Sequence, residues 1–199
     1  HSEANVDRPI SVTIPTVFSN EFIVRDYGKG LSPQEIVEIF ASYGASTKRQ
    51  SNSFTGMLGI GSKSAFAYTK SFTIKSRHKG TETVYQAFID ESNIGTIAPI
   101  HSQPTDETGL SIHVTIQKDD FKQLHSSVEE FFKYIDYRPE FLGSAISIEK
   151  PKNIIEGSSW KFTENQRNYW RREQDVFFVM GNVTYRSNVK ILTSQLQID

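Results

Sequence analysis

Asp26 follows the apolar run Phe22-Ile23-Val24 at a strand end, and Gly28 and Gly30 come after it in the order Asp-x-Gly-x-Gly. An ionised carboxylate only accepts hydrogen bonds, so at a strand end it suits an exocyclic amine and an ordered water. Glycines behind it let the backbone turn sharply and let a flat ring come close where a Cβ would collide. The same residues also make an ordinary turn, so this cluster leaves both readings open. A second cluster, "GMLGIGSKS", places Gly56, Gly59 and Gly61 before Ser62, Lys63 and the apolar "AFAY". A glycine-rich loop opening into a helix presents N–H groups and the positive end of the helix dipole, which favour a phosphate, and Lys63 adds a charge-assisted contact. The alternative is a loop whose glycines only permit close packing. No Walker A spacing occurs, because Ser62 stands between Gly61 and the lysine, and no βαβ unit encloses the loop as a Rossmann fingerprint requires.

The elements that must position these clusters are marked by periodicity. Ile10, Val12 and Ile14 alternate, as do Phe72 and Ile74, and Leu110, Ile112, Val114 and Ile116, so strands are expected at each place, with another over about 84–90. Ile36, Ile39, Phe40 and Tyr43 have helical spacing, as do Phe121, Leu124, Val128, Phe131 and Ile135. The first helix carries a full start signal: Ser32 as N-cap, Pro33 in the first helical position and Glu35 closing a capping box. The segment 62–69 reads as a buried helix. Consecutive strands with only loops between them indicate an α+β fold, a two-layer α/β sandwich with one mostly antiparallel, mixed sheet and helices on one face. From Lys150 the pattern changes: "KPKNIIEGSS" reads as a connector, and "DVFFVMGNVTYRSNV" as a hairpin turning near Gly181 and Asn182.

Composition limits the rest. At 37% hydrophobic and 12% aromatic, the 199-residue chain can bury a core. Its 22 Lys plus Arg nearly balance 23 Asp plus Glu, which argues against a whole-surface polyanion binder. There is no Cys, and His1, His78, His101, His113 and His125 lack ligand spacing, so no metal held by protein ligands alone is expected. No apolar run approaches the roughly 20 residues of a bilayer span and the N-terminus has no signal-peptide core, so a soluble, cytoplasmic protein is expected. In "WKFTENQRNYWRREQ", Trp160, Tyr169 and Trp170 alternate with Lys161, Arg167, Arg171 and Arg172. Interleaved Glu164, Glu173 and Asp175 favour an interdomain helix with buried tryptophans over nucleic-acid binding.

Taken in order, "VRDYGKGLS", a capped helix, "YGASTKR", "GMLGIGSKSAFAYTKSFTIKSRH" and "TGLSIHVTI" resemble the GHKL ATPases: gyrase, the heat-shock chaperone, histidine kinases and MutL. The resemblance covers about residues 8–117 and implies the Bergerat fold, with ATP or ADP and Mg²⁺ as ligands. It implies that Asp26 binds the adenine amine, that Gly28 and Gly30 form the first glycine box, and that Ser46, Thr47 and Lys48 begin a lid over 42–58. Gly56, Leu58, Gly59, Ile60 and Gly61, with Ser62 and Lys63, would form the phosphate-contacting second box, and Thr108 would be the threonine beside the adenine-binding Asp. A nucleotide-driven lid further implies a homodimer or partner contact. Within the superfamily, "GIGSKSAFAYTKSFTI" and "RPEF" look closest to phage rapid-lysis A (rIIA-like) proteins. The family carries its water-activating Glu and its Mg²⁺-holding Asn on a helix before the first strand. Glu3, Asn5 and Asp7 lack that spacing, so the Glu is expected upstream of His1 and no residue here is assigned to catalysis. The expected organisation is thus a nucleotide-binding domain over 1–149 lacking that helix, then a connector and the start of a second unit over 150–199. Two functions fit: the ATP-binding domain of an ATPase, or a regulatory module that binds nucleotide without turnover.

Overall fold

The computed structural model describes residues 7–41, 61–91, 95–158, 160–163, 176–180 and 183–187. Two compact units share the chain: His1–Lys122 with Pro139–Ala145, and Gln123–Arg138 with Ile146–Asp199.

The first unit is built on a 7-stranded sheet of β1 (Ser11–Ile14), β2 (Glu21–Arg25), β3 (Ser71–His78), β4 (Thr81–Ile89), β5 (Gly95–Pro104), β6 (Gly109–Thr115) and β7 (Glu140–Gly143). Their spatial order is β5-β4-β3-β6-β2-β1-β7, antiparallel throughout except for the parallel pair β1 and β7. Directly paired residues share a face of a sheet. The register aligns Tyr85, Ile74, Ile112, Val24, Val12 and Phe141 across six strands on one face. Neighbouring positions on that face supply Phe72, Ala87, Val114 and Ile14, all buried. The next row, Val84, Lys75, Ser111, Arg25, Ser11 and Glu140, belongs to the opposite, largely polar face.

Helical segments cover the apolar face, which makes the unit a two-layer α/β sandwich. Phe66, in a 3-10 helix over Gly61–Ala67, meets Phe72 edge to face at 4.8 Å. Helix α1 (Pro33–Ala41) buries Ile36 completely. Its start is the reciprocal pair that the sequence encodes: the Glu35 N–H donates to Ser32 Oγ at 3.3 Å and the Ser32 N–H to Glu35 Oε2 at 2.8 Å. That backbone bond holds the Glu35 carboxyl below its ordinary range. The segment expected as a buried helix over 62–69 is instead this seven-residue 3-10 helix, with Ser64, Ala67 and Tyr68 exposed. Among the described residues its aromatic anchor is Phe66 on Phe72, and 3-10 segments of this kind stay short.

The second unit holds most of α2 (Phe121–Phe132), the helix expected from the spacing of Phe121 to Ile135. Val128, Phe132 and Ile135 are buried. Arg138 Nη1 closes the C-terminal end by donating to the carbonyls of Phe132 (2.6 Å), Ile135 and Tyr137 (3.2 Å). The expected hairpin exists as β10 (Val176–Met180) and β11 (Val183–Ser187), joined by the Met180↔Val183 pair. Tyr134 stacks on Phe177 at 4.4 Å, and Thr184 Oγ1 donates to the Phe131 carbonyl at 3.3 Å, so helix and hairpin belong to one body. The stretch read as a connector forms a second hairpin, β8 (Asn153–Glu156) with β9 (Lys161–Thr163). Trp160 was expected buried in a helix; it is 57% exposed, next to β9, with its indole over Gly157 in space that a Cβ would occupy. Residues 164–175 of that expectation lie outside the described ones.

On the polar face His113 is largely buried. Its Nε2 lies 3.0 Å from Ser111 Oγ and its Nδ1 3.7 Å from Glu21, and burial first, then Lys75 and Arg77, push its pKa down against the opposing pull of Glu21. Arg77 Nη1 donates to the same Ser111 Oγ at 3.3 Å. A folded value below the unfolded one, about 6.5, means that the unfolded chain binds the proton more readily, so stability is lost as pH falls below that value.

Two outcomes are expected. Ser32→Ala should lower the unfolding free energy by about 1 kcal/mol in urea titrations, since it removes the cap of α1. His113→Gln should flatten the fall in urea midpoint between about pH 7.5 and 5.5 that the wild type shows; identical pH profiles would remove His113 from the account.

Candidate functional site

The Asp26 loop leaves β2 and is seated on the end of β3. Ser76 Oγ accepts the Leu31 N–H at 2.8 Å and donates to the Leu31 carbonyl at 2.7 Å, satisfying both backbone groups of one residue. His78 Nδ1 lies 3.1 Å from the Lys29 carbonyl oxygen. Gly30 has φ +72°, and a Cβ there would collide with the Arg77 carbonyl. Its glycine is therefore required by packing on β3 and by backbone conformation, whereas the sequence suggested room for a flat ring.

Asp26 itself is half-buried. Its N–H donates to the Leu110 carbonyl at 2.9 Å, while its Oδ1 accepts the N–H of Gly28 at 2.8 Å and of Leu110 at 3.4 Å. Gly28 is buried and closes this short turn on the carboxylate. Oδ2 makes no hydrogen bond to a described residue. One oxygen is thus fixed by two backbone donors and the other is left as an oriented acceptor, an arrangement suited to a ligand N–H.

Thr108 lies in the turn into β6, exposed, with Oγ1 3.5 Å from the Tyr27 carbonyl. The resemblance implies a threonine beside the adenine-binding Asp. Thr108 meets the peptide next to Asp26, and Asp26 itself is bonded to Leu110, through its N–H and its Oδ1. Gly109, not singled out in the sequence, has φ +107°, and a Cβ on it would strike the Asp26 carbonyl. Its signal was the glycine inside "ETGLS", between a polar turn and an alternating strand.

Of the second cluster, Gly61, Ser62 and Lys63 open the 3-10 helix, and nothing is described of their side chains. Ser46, Thr47, Lys48, Gly56, Leu58, Gly59 and Ile60 lie outside the described residues. Just beyond the 3-10 helix, the Tyr68 hydroxyl donates to Asp120 Oδ2 at 2.6 Å and accepts the Gln117 N–H at 2.9 Å, tying this end to the segment after β6. Among the described residues no group of three or more His, Cys, Asp or Glu is placed to hold a metal ion, and no helix is long and apolar enough to cross a membrane.

Comparison with curated proteins returns no match. A family model, described as histidine kinase-, DNA gyrase B-, and HSP90-like ATPase, matches residues 4–120. That span takes in β1 to β6, α1, the carboxylate at Asp26 and the turn at Thr108, more than half of the chain. With the mixed sheet, the helical layer on its apolar face and the Asp-x-Gly-x-Gly loop seated on β3, it assigns the chain to the family of histidine kinase-, DNA gyrase B- and HSP90-like ATPases.

Proposed function

We propose that the chain is the ATP-binding domain of a nucleotide-driven conformational switch, with hydrolysis performed by the full protein. The observation that carries this reading is the Asp26 carboxylate, whose Oδ1 is held by the N–H groups of Gly28 and Leu110 while Oδ2 stays an acceptor. An adenine amine is a donor of the right kind, and fixing the acceptor beforehand lowers the entropy that binding must overcome. The glycine-rich residues Gly56 to Gly61, with Ser62 and Lys63, are assigned to the phosphates, Ser46, Thr47 and Lys48 to a lid, and Thr108 to the wall beside Asp26. Mg²⁺ is assigned mainly to the nucleotide's phosphates. When bound, it would neutralise phosphate charge; the chain's own residues bind and orient. The likeness of "GIGSKSAFAYTKSFTI" to phage rapid-lysis A proteins extends this proposal to a regulatory switch acting through a second copy or a partner.

Asp26→Asn tests the reading directly. If the amide keeps its oxygen on Gly28 and Leu110, its NH₂ replaces Oδ2, and a donor then faces the adenine amine. ADP affinity measured by calorimetry should fall by about 1–3 kcal/mol with the circular dichroism spectrum unchanged. Equal affinity in a folded variant would remove Asp26 from the site.

A further inference from the structure

Asp26 and Thr108 each stand one residue from a charged group, and those charged groups meet. Arg25 ends β2 immediately before Asp26, and Glu107 precedes Thr108. Glu107 Oε2 lies 3.0 Å from Arg25 Nη2 and 3.1 Å from Arg77 Nε, the latter an ion pair outside hydrogen-bond geometry. One carboxylate oxygen thereby spans the guanidinium groups of two different strands.

Both guanidinium groups are held independently of Glu107. Arg77 is 8% exposed, pairs with Glu82 at 2.7 Å and donates to Ser111. Glu82 in turn accepts from Gln103 Nε2 at 2.9 Å. Arg25 lies over the Tyr27 ring at 4.7 Å, and Arg8 lies over the same ring at 3.9 Å. Tyr27 is fixed at its far end by Ser11, 3.0 Å from its hydroxyl.

The turn 105–108 is tied to β2 by little else. The β2–β6 ladder ends at Arg25↔Ser111 and the β3–β6 ladder at Arg77↔Gly109. Beyond them, Asp26 holds Leu110 through its N–H and its Oδ1, but within the turn itself the Thr105 N–H reaches the Gly80 carbonyl, the Glu107 N–H bonds to Thr105 Oγ1, and Thr108 Oγ1 has, among the described residues, its 3.5 Å contact with the Tyr27 carbonyl.

We propose that Glu107 is a positioning residue for the nucleotide pocket: clamped by Arg25 and Arg77, its carboxylate sets the spacing between Asp26 and the turn carrying Thr108. The inference rests on the reading of Asp26 as the base-binding carboxylate. Loss of the Glu107 charge leaves Arg77 paired with Glu82 and Arg25 against the Tyr27 ring, with no bridge between the two guanidinium groups at the residue before Asp26. Without that bridge the end of β2 would shift, and with it the carboxylate held by Gly28 and Leu110. Because Glu107 is 57% exposed, the effect is modest and screened by salt.

The test compares wild type with the isosteric Glu107→Gln in the full chain, titrating adenosine and ADP by calorimetry and recording the amide resonances of Gly28 and Leu110. The expected result is an adenosine affinity lowered about twofold to fivefold at low salt, with both amides displaced and the melting temperature nearly unchanged. Unchanged adenosine affinity overturns the proposal, as do unmoved amides. A gain in affinity confined to ADP overturns it too, since Glu107 would then contribute only to the field felt by phosphates. A wild type that binds neither ligand overturns the nucleotide reading itself, while the amide displacements still decide whether Glu107 positions Asp26.

Discussion

The contact between the Gly30 backbone and the end of β3 governs the whole site. β3 lies third in the sheet, flanked by β4 and β6, so its backbone is among the most firmly placed in the unit. The loop after Asp26 borrows that firmness: Gly30 lies on the Arg77 carbonyl, Ser76 satisfies both polar groups of Leu31, and His78 meets Lys29. The loop needs few apolar contacts of its own, because its polar groups are paired to a rigid strand. Helix α1 begins two residues later, so its direction is set by the same strand, and its capping box then fixes where the first turn begins.

The two faces of the sheet solve different problems. One buries Val12, Ile14, Phe72, Ile74 and Tyr85 and supplies the driving force for folding. The other holds Arg77, Glu82, Ser111, His113 and Glu21, a set that costs desolvation and is tolerated because each member meets a partner. Such a network adds little net stability but permits few alternative registers. A slip of one residue would send Arg77 into the apolar layer and Ile74 onto the charges.

How much of this was legible in the sequence follows from the range of the forces. The capping box of Ser32 and Glu35, the alternating strands around Ile74 and Ile112 and the hairpin of Val176–Ser187 depend on neighbours a few residues away, and each was readable. β5 was not, since "GTIAPIHSQP" holds two prolines and little alternation and is a strand because β4 pairs with it around a bulge. β7, four residues long, exists through its pairing with β1. The carboxylate at Asp26 stood out because its glycines follow at once. Leu110 as its backbone partner, Gly109 beneath it and the Arg25–Glu107–Arg77 cluster depend on residues brought together from far apart, and no local pattern announces them.

The parallel pairing of β1 with β7 makes the sheet an assembly of the two ends of a long stretch of chain. Arg8 and Glu140, joined at 3.0 Å, are separated by 132 positions, and Ser144 closes on the Pro15 carbonyl across 129. Contacts of that separation carry a large loop-closure entropy and form late. During synthesis, therefore, β1 remains an unpaired edge beside β2 until residues 140–143 have left the ribosome, and the sheet acquires its final border only after the segment carrying α2 has been made.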